Sequence, residues 1–150
     1  MLTIRHIDQS DKAAWLLLWN QYLDYYQEKI PAEVTEQTWN RFLVEGGHKC
    51  LLASDSASTL AVGFSTYLIH PSTWTLNGYC YLEDLFVEPS ARGRGVGRQL
   101  IEAVTAIANE MEITRVYWHT HSENSVAQGL YNKVAKKSGM IQYRIAAENR

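Results

Sequence analysis

The run from Tyr81 to Gly97, YLEDLFVEPSARGRGVG, fixes a strand, a sharp loop and a helix start within seventeen residues. Tyr81 to Val87 is apolar and β-prone apart from Glu83 and Asp84, and it stops before Pro89, which has no N–H to give a strand ladder. A helical spacing of apolar residues takes over at Val96. Between the two lie Gly93, Gly95 and Gly97, each able to bring bare backbone N–H groups close to an anion. The helix behind them adds the positive end of its dipole. Arg92, Arg94 and Arg98 crowd the same turn with no acid among them, and three cations at a helix start oppose its dipole unless an anion binds there.

The glycine spacing excludes two common phosphate loops. A P-loop needs Gly-x-x-x-x-Gly-Lys-Ser/Thr, which the chain lacks. A dinucleotide-binding turn reads Gly-x-Gly-x-x-Gly, whereas these glycines read Gly-x-Gly-x-Gly, and the stretch from Gly97 to Arg150 is too short for a doubly wound half and a substrate domain. A tight turn with no ligand is the plain alternative.

The rest of the chain reads as one small α/β domain over residues 1–150, without repeats. At 150 residues and 46% hydrophobic it is near the modal size of a domain and can bury a core. The pattern predicts a short strand over 3–7, then a helix from about Ser10 with Trp15, Leu18, Trp19, Tyr22, Leu23 and Tyr26 along one stripe. A second helix is expected over 35–46, and a hairpin from strands 49–53 and 60–69 around the turn 54–59. A strand over 79–87 leads into the glycine loop. The helix after it carries Val96, Leu100, Val104, Ile107 and Met111 as its core stripe. Strands over 115–120 and 140–145 then flank a helix over 124–138, which Asn124 would cap.

Net charge of −2 argues against a general nucleic-acid binder. No apolar stretch approaches the ~20 residues of a membrane span, and the amino terminus lacks a signal-peptide pattern, so a soluble cytoplasmic protein is expected. Cys50 and Cys80 sit singly in apolar runs, as buried thiols do. His119-x-His121 has no third His or Cys nearby and makes no defined metal site, so no metal is expected.

Arg92-x-x-Gly95-x-Gly97 together with its preceding strand resembles the pantetheine and pyrophosphate loop of the GNAT N-acetyltransferases. Asn124, Ala127, Leu130, Tyr131 and Lys133 match the Asn-x-x-Ala-x-x-Leu/Phe-Tyr-x-Lys run of the same family. Residues 81–87, the run 11–26 and Val116-Tyr117-Trp118 resemble its histone/polyamine and spermidine/spermine acetyltransferase group. One departure is 134–139, longer than that group's tight Lys-x-x-Gly turn.

The resemblance implies an α/β (α+β) fold with a mixed, mostly antiparallel central sheet flanked by helices, and acetyl transfer from acetyl-CoA to a primary amine in a ternary complex. It assigns Glu83 as general base, drawing the proton off the amine through water, and Tyr131 as the acid that protonates the departing thiolate. It places the co-substrate on Leu85, Phe86, Val87, Arg92, Gly93, Arg94, Gly95, Val96, Gly97, Arg98, Asn124 and Lys133, with an oxyanion held near Leu85 if the strand bulges there. Strand alternation allows only one of Glu83 and Asp84 to face the pocket readily. Asp24, Tyr26, Glu28, Asp84 and His119 are candidates for the acceptor side, where carboxylates among aromatic rings suit a cationic small-molecule amine. A homodimer is implied as well. Transfer to protein lysines or amino termini, and a non-catalytic acyl-CoA sensor, stand as alternatives.

Overall fold

The computed structural model describes residues 1–147, which fall into two compact units, Met1–His119 and the chain from Thr120 onward. The first unit holds a five-stranded sheet of strands β1 (Leu2–His6), β2 (Lys49–Asp55), β3 (Ala61–His70), β4 (Tyr79–Val87) and β5 (Val116–Tyr117) in sequence order. All neighbours are antiparallel except β4 and β5. Helix α1 (Lys12–Tyr25) and helix α2 (Ala32–Phe42) follow β1, and α3 (Val96–Glu110) lies between β4 and β5.

Successive residues of a strand point to opposite faces, and β3 shows where the layers lie. The Phe64 ring packs 6.0 Å from Trp19 and 5.6 Å from Tyr22 of α1. A Cβ at the preceding Gly63 would instead lie 3.4 Å from both Val96 and Leu100 of α3. Helix α1 therefore covers one face and α3 the other. On the α1 face Trp15 is fully buried, 5.2 Å from Trp19, 5.5 Å from Trp39 and 5.4 Å from Phe42, so aromatic area dominates this core. The stripe of α3 is buried at Val96, Leu100, Ile101, Val104 and Ala108, while Met111 has left the helix as its C-terminal cap and is exposed.

Several boundaries differ from the sequence reading. Helix α2 starts at Ala32 instead of 35, because Pro31 sets the extended entry (φ −58°, ψ 144°) and the helix begins directly after it. Strand β5 keeps only Val116 and Tyr117 of the expected 115–120. In the second unit α4 (Ser125–Val134) ends four residues early, since the next turn of its half-buried Ala127, Leu130, Val134 face would place Lys137 and Ser138 there. The expected strand over 140–145 does not form: its alternation is strand-like, but a strand needs a ladder partner, and Met140, Ile141, Tyr143 and Ile145 are 75–99% exposed.

Cys50 and Cys80 are buried free thiols on β2 and β4, separated by β3. Burial raises the Cys50 thiol and pushes Cys80 up to about 11, which leaves both inert as nucleophiles near neutrality. Among the described residues no helix is long and apolar enough to cross a membrane.

Candidate active site

Strand β4 carries a bulge that its sequence does not announce. Thr66 of β3 pairs with Asp84 while the next residue, Tyr67, pairs with Leu82, so Glu83 is the extra residue with no partner opposite it. The irregularity thus falls at Glu83 and not at Leu85, which pairs in register with Ser65. Because the bulge breaks simple alternation, both acids are brought into one cluster instead of being sent to opposite faces. Glu83 is exposed, and its Oε1 lies 3.1 Å from Nε2 of His48. Asp84 is half-buried, and its Oδ1 accepts a 2.8 Å hydrogen bond from the Tyr22 hydroxyl.

Burial pushes the Asp84 carboxyl up to about 6; the Tyr22 hydrogen bond opposes that rise, and the neighbouring charge of Glu83 adds to it. Tyr22 is itself raised well above the ordinary phenol range, first by burial and then by Asp84. From this pair the aromatic rings run outward, with Tyr26 5.2 Å from Tyr22 and 5.1 Å from Tyr25. Asp24 and Glu28 are exposed, and neither joins the Asp84 cluster through a hydrogen bond or ion pair. The acid set among aromatic rings is therefore Asp84.

At the other end of β4 the glycine loop takes the shape its sequence requires. Gly93 and Gly95 both have φ +79°, and Gly95 is the N-terminal cap of the fifteen-residue α3 with no side chain closing the helix end. A Cβ at Gly93 would meet nothing within 4 Å, so open space faces this turn. Beside it, β5 pairs only with Cys80 and Tyr81, and among the described residues no strand pairs with that edge of β4 over Leu85, Phe86 and Val87. An unpaired strand edge next to uncapped helix N–H groups suits a ligand that combines amides with an anionic diphosphate, which is the chemistry of coenzyme A.

The three arginines are exposed and each has a protein partner. Arg92 Nε donates to the Val87 carbonyl at 2.9 Å, and its guanidinium lies over the Tyr25 ring at 4.9 Å and Phe86 at 5.6 Å. Arg94 donates to the Ser90 carbonyl at 3.2 Å and lies 3.9 Å from Asp55; Arg98 meets Glu102 at 3.0 Å. The acids that the local sequence lacks come from the end of β2 and the next turn of α3. Exposed pairs of this kind are worth only about 0–1 kcal/mol, so a phosphate can compete for the same guanidinium groups.

Gly97 differs from the other two glycines because it lies in helical backbone inside α3. Gly97→Ala is therefore expected to leave the fold as stable or up to about 1 kcal/mol more stable, through helix propensity, while its methyl group obstructs close approach to the helix end. Calorimetry should show acetyl-CoA bound at least about tenfold more weakly, with an unchanged or higher Tm. Wild-type affinity would remove Gly97 from the cradle.

His119 lies elsewhere, its Nδ1 3.2 Å from the Tyr81 hydroxyl in a row of rings with Tyr117 and His70. Among the described residues no three His, Cys, Asp or Glu side chains gather as a metal-binding group. In the second unit Asn124 caps α4, its Oδ1 accepting from Ala127 N at 3.3 Å, with Tyr131 half-buried and Lys133 exposed in the last turn. His48 escaped the sequence reading because it follows Gly46-Gly47 in a turn where no periodicity marks it. Tyr22 was visible as one ring of the α1 stripe in the segment that carries the acceptor candidates, but not as the partner of Asp84.

The family model for the acetyltransferase (GNAT) family matches residues 12–135. D-amino-acid N-acetyltransferase HPA3 of Saccharomyces cerevisiae is 37% identical over 145 residues, covering 95% of this chain and 89% of that protein. The mouse (Mus musculus) thialysine N-epsilon-acetyltransferase is 29% identical over 110 residues, covering 66% and 64%. Among solved structures, AAC(6')-Iy in complex with a CoA-linked bisubstrate analogue superposes with a TM-score of 0.81 at 22% identity, covering 98% and 99% of the two chains, a likeness of fold. With the β4 bulge, its two carboxylates and the glycine-capped α3 in place, these matches show that the chain belongs to the acetyltransferase (GNAT) family and is an N-acetyltransferase.

Proposed function

We propose that the protein transfers acetyl from acetyl-CoA directly to the primary amine of a small cationic acceptor, within one domain formed by residues 1–150. The observation that carries the acceptor class is Asp84, a half-buried carboxylate on the strand that carries Glu83, held by Tyr22, whose ring packs against Tyr26 and Phe86. A carboxylate with aromatic faces favours an ammonium over a neutral amine, each exposed cation–π contact adding about 0.5–1 kcal/mol. Relatives named for N-acetylation of D-amino acids and of thialysine support a small amino-acid-like amine as the acceptor.

In the proposed reaction Gly93 to Arg98 and the open edge of β4 hold the coenzyme A moiety, which supplies the activated thioester. Glu83 draws a proton from the ammonium through water, since an alkylamine with a pKa of roughly 10.4 is protonated near neutrality. Tyr131 gives a proton to the departing thiolate, a role supported by the family resemblance of residues 124–133. Neither Cys50 nor Cys80 serves as an acyl carrier. The exposed apolar residues of 140–145 support a homodimer.

The test is thiol release from acetyl-CoA with spermidine, lysine and an uncharged arylamine, measured across rising salt. The cationic acceptors should have the higher kcat/KM, with an advantage that shrinks as salt screens Asp84. An arylamine preferred at every ionic strength would overturn the cationic-acceptor reading.

A further inference from the structure

Acetylation of an ammonium releases one net proton. The substrate nitrogen begins with three N–H bonds and the amide keeps one; the thiol takes the second, and the third must reach solvent. Two ligands fill the site during transfer, so the base needs an exit for that proton. Glu83 protrudes from the ladder at the bulge, and His48 Nε2 is its hydrogen-bond partner at 3.1 Å. The His48 side chain is 28% exposed and that of Glu83 42%, so the imidazole gives the carboxylate a second route to water when the acceptor covers Glu83 itself. The other charged groups near it are Asp84, held by Tyr22, and Lys49, whose Nζ is bound to the Val44 carbonyl at 2.8 Å.

We propose that His48 is a positioning and proton-relay residue, which orients the Glu83 carboxylate and carries the proton it collects to bulk solvent. This rests on the reading of Glu83 as the base. With the imidazole proton on Nδ1, Nε2 takes the proton of the protonated Glu83 while Nδ1 releases its own to water. Glu83 returns to carboxylate and one proton has left the site. Exchange with water then restores the Nδ1–H tautomer. No oxidant, metal or further reactant enters the step.

The experiment measures steady-state turnover of acetyl-CoA with spermidine or lysine, whichever the wild type acetylates faster, in His48→Gln, His48→Ala and Glu83→Gln. Glutamine can still hydrogen-bond Glu83 but cannot relay a proton. His48→Gln should lower kcat about tenfold or more with both KM values within about twofold of wild type. His48→Ala should fall similarly and recover with added imidazole, whereas Glu83→Gln should not recover. Wild-type kcat in His48→Gln, a loss confined to KM, or no imidazole rescue overturns the relay. If Glu83→Gln keeps full activity, the base assignment falls; if the wild type acetylates neither amine, the acceptor reading falls, and in either case the relay falls with it.

Discussion

Glu83→Gln and Tyr131→Phe are each expected to lower turnover by roughly 10²-fold or more while leaving acetyl-CoA affinity within about twofold of wild type. Both substitutions keep the size of the side chain and remove only its proton chemistry. They should separate on a pH profile. The Glu83 variant should lose most at low pH, where the amine holds its proton most tightly. The Tyr131 variant should show its loss at every pH at which the phenol is protonated. A Tyr131→Phe enzyme with wild-type kcat would return that ring to packing, and a Glu83→Gln profile matching wild type in shape and height would remove Glu83 as the base.

Asp84→Asn should make the protein more stable at pH 7, by on the order of 2–3 kcal/mol. The sign follows from proton binding. Asp84 titrates at about 6 in the folded protein against an ordinary 3.8, so between those values the folded state holds more protons than the unfolded state. Its contribution to stability is greatest below pH 4, declines as pH rises through that window, and is lowest above 6. Asparagine removes the penalty and can still accept the Tyr22 hydroxyl. Urea denaturation should show the variant's advantage at pH 7 and its disappearance near pH 4; equal stability at both would mean that Asp84 carries no burial penalty. The same variant should bind spermidine or lysine more weakly, the usual exchange of stability against a charged site.

Residues 79–87 were legible as a strand because strand and turn chemistry agree there: β-prone side chains end at Pro89, and Gly93 and Gly95 of the loop that follows adopt left-handed backbone, which glycine takes without steric cost. Helix α1 was legible from Trp15, Leu18 and Trp19. The segment 140–145 misled because periodicity reports the ability to pair, while pairing itself depends on what lies alongside. At the site, Glu83 and Asp84 were visible as acids in an apolar run. Their arrangement was not, since alternation assumes a regular ladder and the bulge is set by the register against β3. His48 comes from a turn distant in sequence and meets Glu83 only through that register.

The bulge also separates what the sheet needs from what the reaction needs. Tyr79 to Leu82 sit opposite His70 to Tyr67, and Asp84 to Val87 opposite Thr66 to Gly63, so every rung between β3 and β4 is complete without Glu83. The residue assigned to the chemistry behaves as a one-codon insertion that the strand absorbs without turning over either flank. A lineage that lost it would keep a foldable sheet, and one that gained it would acquire a carboxylate beside the cradle in a single step.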